Sequence, residues 1–200
     1  VDLPAGAALV AFAISYTAPC TIADDQGGSY DEATSSPVTD SASARYQAWA
    51  ANNVAGGDTA VTITPSSSSY LTLILIPVTG QATSGLLKDD DSASGSGGGP
   101  FEVGSVTIAV RCLLLAFIGN VFGGTGYTPG SGWTEIVDDR PETFQGFSVE
   151  RRTEDAGTFT GTFAAAPAND FAGLVIALAE ATGGAPVLSR ARFGPLLGCS

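Results

Sequence analysis

Histidine and methionine are both absent from the 200 residues of this chain. Without histidine the usual general base near neutral pH is missing, and no spacing singles out a carboxylate pair for glycoside hydrolysis. A non-enzymatic protein with no catalytic residue is therefore expected. Basic residues are scarce, eight against 20 acids, for a net charge of −12. That balance argues against nucleic acid or an anionic membrane as partner. Long hydrophobic runs are lacking too. The longest, 106–122, is broken by Arg111 and is shorter than the roughly 20 residues of a spanning helix, so no membrane insertion is expected. The cysteines Cys20, Cys112 and Cys199 have neither metal nor redox spacing. Cys112, inside an apolar run, reads as a buried thiol, and pairing of Cys20 with Cys199 stays open. The glycine run 95–99 is not followed by Lys-Ser/Thr, so no phosphate loop is present. No cofactor is implied. No signal peptide is visible, and the first residue is Val1, as in a processed mature form or a partial sequence.

What the chain does have is 44% apolar residues, 26 glycines and only 14% charged residues. Short apolar runs bounded by glycine read as buried strands. They fall at 7–16, 59–64, 70–78, 102–110, 112–122 and 172–179. Segment 44–51 is ambiguous: its alanines favour helix, but its side chains also alternate. The stretch 86–100 carries Asp89, Asp90 and Asp91 before a Ser/Gly run and reads as a flexible linker.

The order of features repeats. Ala8–Phe12 resembles Leu113–Phe117, Tyr30 and Glu32 match Trp133 and Glu135, and Gly57 and Ile63 match Gly157 and Phe163. Tyr46-Gln47-Ala48-Trp49 aligns with Phe144-Gln145-Gly146-Phe147, and Leu73-Ile74 with Leu174-Val175. The repeat resolves 44–51 as a strand, because 144–150 has no helical character. The expectation is an all-β, jelly-roll-like β-sandwich of two four- to five-stranded Greek-key halves, with an extended C-terminal tail acting as a strand. Residues 1–181 form a single domain, with halves 1–85 and 101–181 joined by the linker 86–100, and the tail is 182–200. Leu9, Phe12, Ile63, Leu73, Leu75, Leu115, Phe117, Phe163, Val175 and Leu178 would line one inner face. A counterpart of 102–110 is missing ahead of Ala8.

These pieces together resemble a loose group of Gly/Ser/Thr-rich β-sandwich domains of bacterial surface proteins and of phage virion or tail-associated proteins. The shared motifs are the early apolar strand, Asp25-Gln26-Gly27-Gly28-Ser29-Tyr30, Asn53-Val54-Ala55-Gly56-Gly57, Ser131-Gly132-Trp133-Thr134 and the last strand at 172–179. The likeness covers roughly residues 5–180. It implies an extracellular, cell-surface or virion location and a structural or adhesive role without catalytic residues.

Beyond that likeness lies the tail. Along it, Val187, Ser189, Ala191 and Phe193 alternate with Leu188, Arg190 and Arg192. After Gly194-Pro195, Leu196 and Leu197 offer a second apolar anchor. A solvated tail would not be expected to carry so many apolar residues. All 20 acids lie ahead of it, while it carries two arginines, so it is drawn to an acidic protein surface. Val187, Leu188, Arg190, Ala191, Arg192, Phe193, Leu196 and Leu197 are the candidate assembly interface. The tail would fill the missing strand in its own chain or, by donor-strand exchange, in the next. Open head-to-tail donation gives a helical filament, so the leading expectation is a self-assembling extracellular fibril subunit. Alternatives are a phage virion decoration or tail protein, and a carbohydrate-binding module that meets surface glycans through Tyr16, Tyr30, Trp49, Tyr127 and Trp133. Acidic clusters at Asp24-Asp25, Asp31-Glu32, Asp89–Asp91 and Asp138-Asp139 offer the oxygen ligands Ca²⁺ takes. None has EF-hand spacing, and solvated turns account for them.

Overall fold

The computed structural model describes residues 2–16, 18–52, 54–120, 126–139, 146–164, 170–181 and 187–188; for residues 2, 139, 187 and 188 the backbone alone is described. All regular structure among them is β. In the leading half the strands are β1 (Asp2–Leu3), β2 (Ala8–Tyr16), β3 (Cys20–Asp24), β4 (Asp31–Glu32), β5 (Val38–Thr39), β6 (Ala44–Ala51), β7 (Gly57–Asp58), β8 (Val61–Pro65) and β9 (Leu71–Thr79). The trailing half runs through β10 (Leu87–Gly95), β11 (Phe101–Ile108), β12 (Cys112–Asn120), β13 (Thr128–Pro129), β14 (Thr134–Asp139), β15 (Gly146–Glu154), β16 (Gly157–Ala164) and β17 (Phe171–Ala179), and β18 (Val187–Leu188) follows.

Two large antiparallel sheets form the centre, in the orders β18-β9-β2-β6-β4 and β10-β17-β12-β15-β14. They pack face to face through Val10, Phe12, Ile14, Ile74 and Ile76 on one side and Leu113, Leu115, Phe117, Leu174 and Ile176 on the other. At the middle the rings of Phe12 and Phe117 stack with centroids 4.9 Å apart. Each large sheet also carries a smaller one on its outer face. The pair β3-β8 covers Leu9, Ala11, Trp49 and Leu75, and β11-β16-β13 covers Leu114, Ala116, Ile118 and Val175. The expected all-β sandwich is thus four layers deep. The single inner face read from the sequence divides among three cores: Phe12, Leu115, Phe117 and Leu178 in the middle, Leu9, Ile63, Leu73 and Leu75 in one flank, Phe163 and Val175 in the other. Burial on both faces explains why the central strands read as unbroken apolar runs; β12 and β17 are buried at every position.

The two halves share one ladder plan. Phe12 pairs with Ala48 and Ile74, as Phe117 pairs with Val149 and Leu174. Ile14 pairs with Tyr46, and Gly119 with Phe147. Two alignments made from the sequence need correcting. Tyr46 corresponds to Phe147, not to Phe144 (which lies outside the described residues), and Ile74 corresponds to Leu174, not to Val175. Alanine- and leucine-rich strands match almost equally well at several offsets, and only pairing parity, which decides the face a side chain takes, separates them.

A further correction concerns 86–100. Leu87–Gly95 is no free connector but a nine-residue strand laid on β17 from Phe171 to Leu178.

Candidate strand-exchange site

The segments just beyond β9 and β17 meet where the chain leaves each central sheet. Gln81 and Glu180 form an antiparallel bridge, Ala181 N donates to Gly80 O at 2.8 Å, and Ala82 N donates to Ala179 O at 2.9 Å. Arg111 closes the crossing, with Nε on Glu180 Oε2 at 3.0 Å and Nη1 on Asp155 Oδ1 at 3.2 Å. Beyond it each half hands its next strand to the other. β10, which follows β9, pairs with β17; β18, which follows β17, pairs with β9. The registers correspond, since Leu87 sits opposite Leu178 and Leu188 opposite Val78, the position on β9 equivalent to Leu178 on β17.

The acids of β10 explain how a polar segment is held as a strand. Asp89 Oδ2 accepts Thr107 N at 2.6 Å and Asp91 Oδ2 accepts Ser105 N at 2.8 Å. Two alternate carboxylates thereby satisfy donors of β11, the neighbouring strand in the outer sheet. Asp90 points the other way and accepts Ser35 N at 2.6 Å and Thr34 Oγ1 at 3.1 Å, tying the leading half to the exchanged strand. Burial pushes the Asp90 carboxyl up, but these donors outweigh it and hold the group below its ordinary range. Asp89, Asp90 and Asp91 are consecutive, so the segment shows no alternation of residue type. It reads as a solvated run because its partners are backbone amides that no pattern of residue types displays.

Of the eight predicted interface residues, Val187 and Leu188 lie on the β9 edge, paired with Thr79 and Val78. Arg190, Ala191, Arg192, Phe193, Leu196 and Leu197 lie outside the described residues. Among the described residues, the edge of β9 from Leu71 to Pro77 has no further strand on that side, whereas the same edge of β17 is covered along its length. The slot that receives β18 is therefore the equivalent of β10. It is not the counterpart of 102–110 expected from the repeat, a strand that belongs to an outer sheet.

The remaining candidates have local roles. Trp49, Tyr127 and Trp133 are buried in the flanking cores, and Tyr30 packs against one of them. Asp24 Oδ1 accepts Gln26 N and Gly28 N while Oδ2 accepts the Tyr30 hydroxyl, an acid closing its own turn. Glu32 accepts from Ser36 Oγ and Gln47 Nε2. Among the described residues no group of three or more His, Cys, Asp or Glu could hold a metal ion. Cys20 and Cys112 are buried free thiols whose pKa burial raises. Comparison of the chain with protein-family models, with curated proteins and with solved structures gives no match in any of the three.

Proposed function

We propose that this chain is a non-enzymatic structural subunit that joins copies of itself head to tail into an extracellular helical fibril, each copy donating its C-terminal segment to the β9 edge of the next. The observation that carries the reading is the asymmetry between the two central sheets. One edge is filled by nine residues of β10 and the other, among the described residues, by two residues of β18. An unpaired sheet edge is a strand acceptor. A ladder formed within one chain can be formed between copies with the same contacts, the difference being which copy supplies the strand. Tail arginines Arg190 and Arg192 beside a chain of net charge −12 favour the same contact.

The test compares the intact chain with one lacking residues 183–200, by negative-stain microscopy and size-exclusion chromatography. Fibres from the intact chain, and dispersed, less heat-stable particles from the shortened one, are expected. A shortened chain with unchanged solubility, melting temperature and assembly state overturns the proposal.

A further inference from the structure

Between β15 and the outer sheet of the trailing half lies a carboxyl under a short cover. Glu150 pairs with Ala116 and Ser148 with Ile118, so both side chains face the flanking core. Both residues are fully buried, and among the described residues neither Glu150 Oε1 nor Ser148 Oγ has a hydrogen-bond partner. The cover is segment 127–133, whose Gly130 N donates to Glu150 Oε2 at 3.2 Å. It is lightly fastened. β13 pairs with β16 through Thr128 and Pro129 alone, Gly130 N also reaches Thr162 O at 2.7 Å, and Trp133 Nε1 donates to Thr160 O at 3.2 Å. The leading half has nothing to ionise at these places. Trp49 and Gln47 stand there, and the Gln47 amide is bonded at both ends, to Cys20 N and O and to Glu32.

We infer that 127–133 is a proton-controlled flap, which closes over the neutral Glu150 carboxyl and lifts to admit water when that carboxyl ionises. A buried carboxylate with a bare oxygen must find donors or stay protonated. Its charged neighbours offer no free counter-ion. Glu135, opposite it on β14, and Asp138, opposite Ser148, are acids. Arg152, two residues further along β15, lies against Glu154 and the Phe159 ring. The Tyr127 phenol belongs to the flap itself, while β11, β12, β16 and β17 turn apolar side chains and the Cys112 thiol to this core. Water is therefore the donor within reach, and a two-residue strand is the part that opens at least cost. Burial places the carboxyl at about 8; each pH unit above that favours the open form about tenfold more. The flap lies outside the strand-exchange site and needs no second copy.

Trp133, 8% exposed when the flap is closed, supplies the probe. A Trp49→Phe chain keeps it as the sole tryptophan. Acrylamide quenching of that chain should rise several-fold between about pH 6 and about pH 10, with a midpoint near 8, while far-ultraviolet circular dichroism stays constant. Exchange of the Trp133 amide, which donates to Gly130 O at 3.1 Å, should quicken over the same range beyond its intrinsic pH dependence. That measurement decides by itself in the parent chain if Trp49→Phe folds poorly. Adding Glu150→Gln should abolish both changes, and a Trp133→Phe chain, which reports Trp49, should show no transition. Quenching and exchange that stay flat, an equal rise in the Glu150→Gln chain, or a rise that coincides with loss of the β signal overturns the flap.

Discussion

At one pair of equivalent positions the two halves differ because packing across the pseudo-symmetric centre requires it. Gly119 stands where the leading half has Ile14. A methyl there would lie 2.6 Å from Ile14 Cδ1 and 3.0 Å from Tyr46 Cε1, so one half supplies the knob and the other the hole. Glu150 stands where the leading half has Trp49, each opposite a glutamate of the neighbouring strand. It is fully buried; Gly130 N donates to its Oε2 at 3.2 Å, and Oε1 has no partner among the described residues. Burial raises its carboxyl from 4.5 to about 8, against the opposing pull of the Gly130 and Thr162 backbone donors. Between those two values the folded chain keeps a proton that the unfolded chain gives up. Stability therefore falls as pH rises through this window, by up to about 1.4 kcal/mol per pH unit. Below and above it the contribution is flat. Glu150→Gln should gain in melting temperature relative to the parent as pH goes from 5 to 8. A difference that does not change with pH would show that this carboxyl titrates normally.

At the scale of elements, legibility followed the source of each strand's stability. β2, β9, β12 and β17 are held by apolar side chains and stand out as apolar runs. β10 is held by backbone pairing to β17 and by the carboxylates of Asp89 and Asp91, and its composition is that of a linker. Phe101–Ile108 was readable because Phe101, Val103, Val106 and Ile108 are buried in one core. Asp2-Leu3, which pairs with Gly57-Asp58 as Thr107-Ile108 pairs with Gly157-Thr158, was not, since two residues carry no periodicity. The candidate interface was legible as a hydrophobic tail, but which edge it meets depends on pairing register. Asp91→Ala should free the Ser105 amide from its 2.8 Å acceptor, speed its hydrogen exchange by tenfold or more, and cost about 1–3 kcal/mol of stability. Unchanged exchange at Ser105 would mean that another group protects that amide.

For the molecule as a whole, the two reciprocal strands make each half incomplete without the other. The repeat in the sequence suggested two similar halves folded face to face. It did not disclose that β10 and β18 change places, because exchange alters which chain segment fills a slot and not the residues that line it. The turn at Ser96–Gly98 lies just beyond β10 and is largely exposed, a favourable site for a single proteolytic cut. After such a cut, 1–97 would keep β10 laced into the sheet of 98–200, and its β9 edge would keep a β18, its own or, in the fibre, that of another copy. Both pieces should coelute under native conditions and part only in denaturant; separation in plain buffer would contradict the exchange. A severed backbone would leave one interlocked body, knotted together by its own two halves.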